Sequence, residues 1–163
     1  PTISPIDYPV QFVNIECMQQ IGPMKNQDEV KAIIQTLKML EDEGVDLEIV
    51  SVLSPYKNQK NLLVEQIQSN DLYPRDICTV DEFQGLQNMV IIVSLVSRSP
   101  SIWLRDHRRI NVLTSRSRSA LLLFGNVEGF RSSIEWEGIV NTIDKVKPVG
   151  KLYINGKALI MPL

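Results

Sequence analysis

The chain has 163 residues, 17 lysines and arginines against 19 acids, two cysteines and 44% apolar side chains. That length suits one globular domain able to bury roughly two-thirds of its unfolded surface. The composition excludes disordered, collagen-like and disulfide-stapled classes. Cys17 and Cys78 match no metal-ligand spacing and read as two reduced thiols of an intracellular protein. No apolar run approaches the roughly 18 residues of a membrane span. A net charge of −2 argues against nucleic-acid binding by bulk electrostatics, so any such contact needs a local patch. The chain starts with proline and shows no signal or transit segment, and is therefore expected to be a piece of something longer.

Strand-like and helix-like segments alternate, the pattern of a parallel α/β sheet. Val10 to Ile15 is β-branched and aromatic, a first strand. From Asp28, Val30, Ile33, Ile34, Leu37 and Leu40 follow helical spacing, with Gly44 as the stop. Leu47 to Leu53 predicts a second strand, ended by Ser54-Pro55, and Asn58 to Gln68 a helix with Leu62, Leu63 and Ile67 inward. Ile77 to Val80 is a short strand. Met89 to Val96 is a nearly continuous apolar run, as a strand buried on both faces requires. A helix is expected from His107 to Arg118 behind an Asp106 cap, then a strand from Ala120 to Phe124 and a helix from Ile134 to Val146. Asn155-Gly156 between two β-prone runs signals a hairpin. The expected organisation is one domain over residues 1–147, with residues 148–163 as a hairpin extension of it.

Three segments exceed what a generic α/β fold needs. Ser54-Pro55-Tyr56-Lys57-Asn58-Gln59 follows a strand, and open parallel sheets bind ligands beyond their strands' carboxyl ends. Tyr56 offers a face on which a base could stack, or is simply the half-buried tyrosine of a strand-to-helix turn. Thr79 to Gln87 crowds polar residues between two apolar strands. Thr79 and Gln84 can donate to phosphate oxygens, and Gly85 permits a close backbone approach. Asp81 and Glu82 could pair over a metal or a proton, or just face water. Finally, Arg98 to Arg118 holds six arginines against Asp106 alone. Such rigid forks suit phosphate, or form a solvated basic face. The lone histidine, His107, reads as a surface residue at a helix start.

In order, these segments resemble the second RecA-like domain of superfamily 1 helicases, in the branch related to the nonsense-mediated-decay helicase. The Pro-Tyr-x-x-Gln turn is matched by Pro55, Tyr56 and Gln59, and Val-Asp-x-Phe-Gln-Gly by Val80, Asp81, Phe83, Gln84 and Gly85. Arg-Arg-x-Asn-Val-x-x-Thr-Arg is matched by Arg108, Arg109, Asn111, Val112, Ser115 in place of threonine, and Arg116. Asn26, Glu29, Gly125-Asn126 and Trp136 also match, so the resemblance covers roughly residues 8 to 146.

The resemblance implies a RecA-like sheet of P-loop NTPase type and a two-domain motor, with ATP and Mg2+ held mainly by a first RecA-like domain. The Gly-x-x-x-x-Gly-Lys-[Ser/Thr] loop of that domain is not in this sequence. It implies an NTP-dependent helicase of cytoplasm or nucleus acting on single-stranded RNA, less readily DNA. Arg116 would be the arginine finger, and Gln84, Gly85, Gln87 and Arg109 would bind nucleotide. Ser54, Pro55, Tyr56 and Thr79 would contact nucleic acid, and no protein residue is assigned to a metal. The fragment alone would be inactive. Gln87 stands where relatives carry a ribose-contacting glutamate, Leu86 where many carry arginine, and Ser115-Arg116-Ser117-Arg118 replaces Thr-Arg-Ala-Lys. A strand that usually leads to Val-Arg-Ser reads Val96-Ser97-Arg98-Ser99. These departures leave a second possibility, a degenerate motor kept as a binding scaffold.

Overall fold

Five strands, β1 (Val10–Asn14), β2 (Val50–Ser54), β3 (Asp76–Thr79), β4 (Asn88–Ser94) and β5 (Ser117–Gly125), form a wholly parallel sheet in the order β1-β5-β4-β2-β3. The structure is a computed structural model describing residues 6–15, 24–146 and 151–159. Cys17 and the flanks of the expected hairpin at 147–150 and 160–163 lie outside the described residues.

Alternation along each strand divides the apolar residues between two cores. Val52, Val90, Ile92, Ala120, Leu122 and Phe124 face α1 (Gln27–Asp42) and α2 (Lys57–Ser69). Leu53, Ile91, Val93, Leu121 and Leu123 face the opposite layer. That layer is α3 (His107–Ser115), α4 (Val127–Arg131), α5 (Ile134–Val146) and the crossover containing Val80 and Phe83. A strand covered on both sides has no polar face to show, which is why β4 reads as an unbroken apolar run.

Several boundaries differ from the sequence expectation, most of them by one residue. Leu47–Ile49 is a 3-10 turn, because Asp46 Oδ1 accepts the Glu48 N–H at 2.9 Å, and β2 begins only at Val50. β4 stops at Ser94, short of Val96. The helix expected to reach Arg118 ends at Ser115, and Arg116 caps it. Ser117 and Arg118 already belong to β5, where Ser117 pairs with Asn88. The short α4 was not expected; Asn126 starts it by accepting the Gly129 N–H at 2.9 Å.

The hairpin forms as expected: β6 (Leu152–Ile154) and β7 (Lys157–Leu159) are antiparallel, with positive φ at both Asn155 and Gly156. It makes its own small sheet. The Gln11 side chain stands in for a strand partner, with Nε2 donating to Tyr153 O (3.1 Å) and Oε1 accepting the Tyr153 N–H (2.8 Å). Leu152 and Ile154 are buried in the α1-side core, each contributing about 1.5–3 kcal/mol.

Candidate functional site

The turn after β2 lies at the carboxyl end of the sheet. Ser54 and Pro55 are buried, and Ser54 Oγ accepts the Tyr56 N–H at 3.3 Å, so both shape the start of α2. Tyr56 is half-buried, its hydroxyl held by Ser97 Oγ (2.9 Å) and Ser101 Oγ (2.7 Å). Gln59 is fully buried and acts as a tie: Oε1 accepts the Asn26 N–H (2.9 Å), and Nε2 donates to Asn26 O (3.0 Å) and Ser94 Oγ (3.0 Å).

Behind this tie sits a buried acid. Ser94 Oγ donates to Glu29 Oε1 at 2.6 Å, and the Val96 N–H reaches both carboxyl oxygens at 3.0 and 3.2 Å. Burial pushes the Glu29 pKa up to about 8, against hydrogen bonds from Ser94 and the backbone of Val96 and Leu95 that pull it down. Asp28 adds to the rise.

From Thr79 at the carboxyl end of β3, the chain crosses to Asn88 at the amino end of β4. The gap is about 20 Å by strand geometry, bridged without a helix. Thr79 and Glu82 cap each other: the Thr79 N–H donates to Glu82 Oε1 (2.8 Å) and the Glu82 N–H to Thr79 Oγ1 (3.1 Å). That backbone bond holds the Glu82 carboxyl below its usual range, and Lys60 stands 3.5 Å away. Asp81 turns instead to Arg109, at 3.8 Å. The two adjacent acids therefore do not converge, and no group of three possible metal ligands occurs among the described residues. Phe83 is buried and anchors the crossover, while Gln84, Gly85 (φ +81), Leu86 and Gln87 are exposed. Cys78, on β3, has its thiol pushed up to about 12 by burial and then by Asp76 and Glu82.

The basic segment meets this crossover along α3. The Arg109 guanidinium lies over the Trp103 ring, 4.2 Å from its centroid, and with Asp81, Gln84, Asp106, Arg108 and Val112 lines a cleft of about 490 Å3. Asp106 Oδ1 accepts the Arg108 N–H (2.9 Å), which lowers its pKa. At the far end of α3, Arg116 Nε is the buried side-chain nitrogen left without a hydrogen-bond partner among the described residues. Beside it, Arg118 Nε and Nη2 donate to Gln87 Oε1 at 3.2 and 3.1 Å, and Arg75 Nη2 donates to Gln87 O at 2.7 Å.

The sequence-selected residues thus fall into three places. Ser54, Pro55, Tyr56 and Thr79 gather at the carboxyl ends of β2 and β3, and Gln84 shares the cleft with Arg109. Gln87 and Arg116 flank the amino ends of β4 and β5, with Asn88 N–H donating to Arg116 O at 3.3 Å. Gly85 lies on the crossover between cleft and amino end. Sequence reasoning missed Trp103 as the platform for Arg109, Ser97 and Ser101 as the hold on Tyr56, and Arg118 as the partner of Gln87. An aromatic residue inside an arginine-rich segment was the one legible signal. The serine and Gln87 pairs join residues 31 to 45 positions apart, which no local pattern reports.

A wholly parallel sheet covered by helices on both faces, with polar loops at its strand ends, is the architecture of a RecA-like α/β domain. The family model described as an AAA domain matches residues 2–128. The chain belongs to that family, as the second, C-terminal RecA-like domain of superfamily 1 helicases in the branch related to the nonsense-mediated-decay helicase. RNA helicase aquarius of Mus musculus is 32% identical over 141 residues, spanning 78% of this chain and 10% of that protein. DNA polymerase alpha-associated DNA helicase A of Saccharomyces cerevisiae is 32% identical over 115 residues, spanning 66% and 16%. Probable helicase senataxin of Homo sapiens is 25% identical over 151 residues, spanning 85% and 6%. The chain therefore covers only a small part of each of these relatives. In fold it is similar to the C-terminal domain of a possible DNA helicase from Lactobacillus plantarum. The TM-score is 0.52 at 13% identity, covering 79% of this chain and 76% of that one.

Proposed function

We propose that this chain is the second motor domain of a longer ATP-dependent helicase or translocase of cytoplasm or nucleus, acting on single-stranded RNA, less readily DNA. In this reading ATP and Mg2+ are held mainly by a first RecA-like domain, and Arg116 reaches across as the arginine finger. Arg109, Gln84, Gly85 and Gln87 complete the nucleotide side. Ser54, Pro55, Tyr56 and Thr79 contact the strand, Ser54 and Pro55 through the backbone they shape. The crossover from Thr79 to Gln87 links the two ends.

One observation carries the proposal: the buried, unpartnered Nε of Arg116. A buried guanidinium N–H without an acceptor is costly, and a phosphate oxygen is the acceptor its planar fork fits best. When bound, ATP supplies that phosphate. Arginine fingers raise such rates by about 10³–10⁵. The test is the ATPase rate of the full-length protein with and without single-stranded RNA, wild type beside Arg116→Ala. RNA stimulation that the substitution cuts at least a hundredfold supports the motor, with the fragment alone inactive. RNA binding with no turnover in the wild type overturns it.

That second outcome corresponds to a scaffold that has lost turnover. One observation favours it. The oxygen of Gln87, the residue expected at the ribose, is already occupied by Arg118.

A further inference from the structure

Glu29 stands three residues after the α1 cap, where a glutamate ordinarily folds back onto the cap's own N–H. Here Gln59 Oε1 has taken the Asn26 N–H. The Glu29 N–H still donates to Asn26 Oδ1 at 3.0 Å and its carboxyl takes a 3.3 Å contact from Asn26 Nδ2, but that carboxyl is turned across to the end of β4. What it grips there is unusual backbone. Val96 is β-branched, yet its φ is +65°, a region such residues rarely occupy. The Ser97 N–H donates to Leu95 O at 2.7 Å, closing a γ-turn around Val96 in the strained hand. Such a turn persists only where its surroundings over-determine it, and both Glu29 oxygens accept the Val96 N–H.

The residue leaving that turn is Ser97, whose Oγ bonds the Tyr56 hydroxyl. A second route reaches the same tyrosine: Glu29 to Ser94 Oγ, to Gln59, in the first turn of α2 that Tyr56 opens. Both routes from one buried carboxyl converge on one aromatic ring at the carboxyl end of the sheet.

We propose that Glu29 is a positioning residue for nucleic-acid binding: by holding the Val96 turn and the Ser94–Gln59 tie, it fixes where Tyr56 presents its ring to a strand. This rests on the reading of the Tyr56 turn as a strand contact. Glu29 never touches the strand and acts through Ser97 and Gln59.

The test uses the full-length protein, a fluorescein-labelled 20-nucleotide oligo(U) RNA read by anisotropy, and 3-fluorotyrosine at position 56 read by 19F NMR. Glu29→Asp keeps a carboxyl but withdraws it by one methylene from Val96. It is expected to shift the Tyr56 resonance and weaken oligo(U) binding about fivefold, because the ring is displaced rather than removed. Glu29→Gln keeps the chain length and one oxygen that can accept from both Ser94 Oγ and the Val96 N–H, as Oε1 does in the wild type, and is expected to restore both readouts. Tyr56→Ala weakens binding by roughly 5- to 100-fold, the range of base–aromatic stacking. A lowered melting temperature for Glu29→Asp with unchanged resonance and affinity makes Glu29 a stabiliser only and overturns the proposal. Loss of affinity in Tyr56→Ala but not in Glu29→Asp overturns the proposal alone. Wild-type affinity in Tyr56→Ala overturns the strand-contact reading and the proposal with it.

Discussion

Arg118 grips Gln87 by a single oxygen, through Nε at 3.2 Å and Nη2 at 3.1 Å. An amide held this way has only N–H donors left to offer a ligand. A carboxylate in the same place would give one oxygen to Arg118 and keep the other as an acceptor. Both side chains are exposed, so the pair itself contributes little to stability.

Gln87→Glu is therefore expected to tighten nucleotide binding by the full-length protein about tenfold, the gain of one charge-assisted hydrogen bond at the low end of its range. The check is a titration of a fluorescent ATP analogue against wild type and variant, with Arg118→Ala alongside. Unchanged affinity in Gln87→Glu would show that residue 87 does not face the nucleotide.

Glu29 couples stability to pH. Its carboxyl titrates near 8 in the fold against the ordinary 4.5, so between those values the unfolded chain has lost a proton that the folded chain keeps. The stabilisation is fully present below pH 4.5 and fades as pH rises through 8, with a slope of about 1.4 kcal/mol per pH unit at most. Glu29→Gln removes the titration. Urea unfolding at half-unit steps from pH 5 to 8.5 is expected to show the wild type losing stability and the variant staying flatter, with the difference disappearing under acid. Parallel profiles would remove Glu29 as the source.

Two glycines make a matched pair. A Cβ on Gly129 would lie 1.5 Å from the carbonyl oxygen of Arg98, whereas a Cβ on Gly138 in α5 would meet nothing within 4 Å. Gly129→Ala is expected to cost about 3 kcal/mol and to displace the segment leading to Ser101, hence to Tyr56. Gly138→Ala is expected to gain about 0.5–1 kcal/mol. Thermal melts of the two variants should move in opposite directions.

Trp136 ties α5 to the segment before α3. Its Nε1 donates to Leu104 O at 2.8 Å, and its buried ring meets Phe130 edge to face at 4.9 Å. Trp136→Phe leaves a buried carbonyl unpaired and a small void, expected to cost about 3 kcal/mol. Leu104 adjoins Trp103, which backs Arg109, so nucleotide affinity should fall as well. A urea midpoint unchanged from wild type would contradict this.

Most of the architecture was legible because it is written in local periods. Alternating apolar runs, the Asn155-Gly156 turn and the helical spacing from Val30 to Leu40 each encode an element within a few residues. The ordered motifs around Tyr56, Gln84 and Arg116 carried the family in the same way. The sequence by itself therefore determined most of the segments that become strands and helices, α4 and the Leu47–Ile49 turn excepted, that the sheet is parallel and buried on both faces, and which loops hold the polar chemistry.

The tertiary structure alone decided how far those loops lie from one another and what each side chain holds. Ending α3 at Ser115 depended on Ser117 finding Asn88 across the sheet, a pairing 29 residues away in sequence. The turning of Glu29 from its own cap to Val96 required Gln59 to arrive from another helix and take the Asn26 N–H. Hydrogen-bond donors and acceptors carry no record of their partners in the one-dimensional order. Only the packed sheet brings them within 3 Å, and there the cost of leaving one unpaired selects the arrangement.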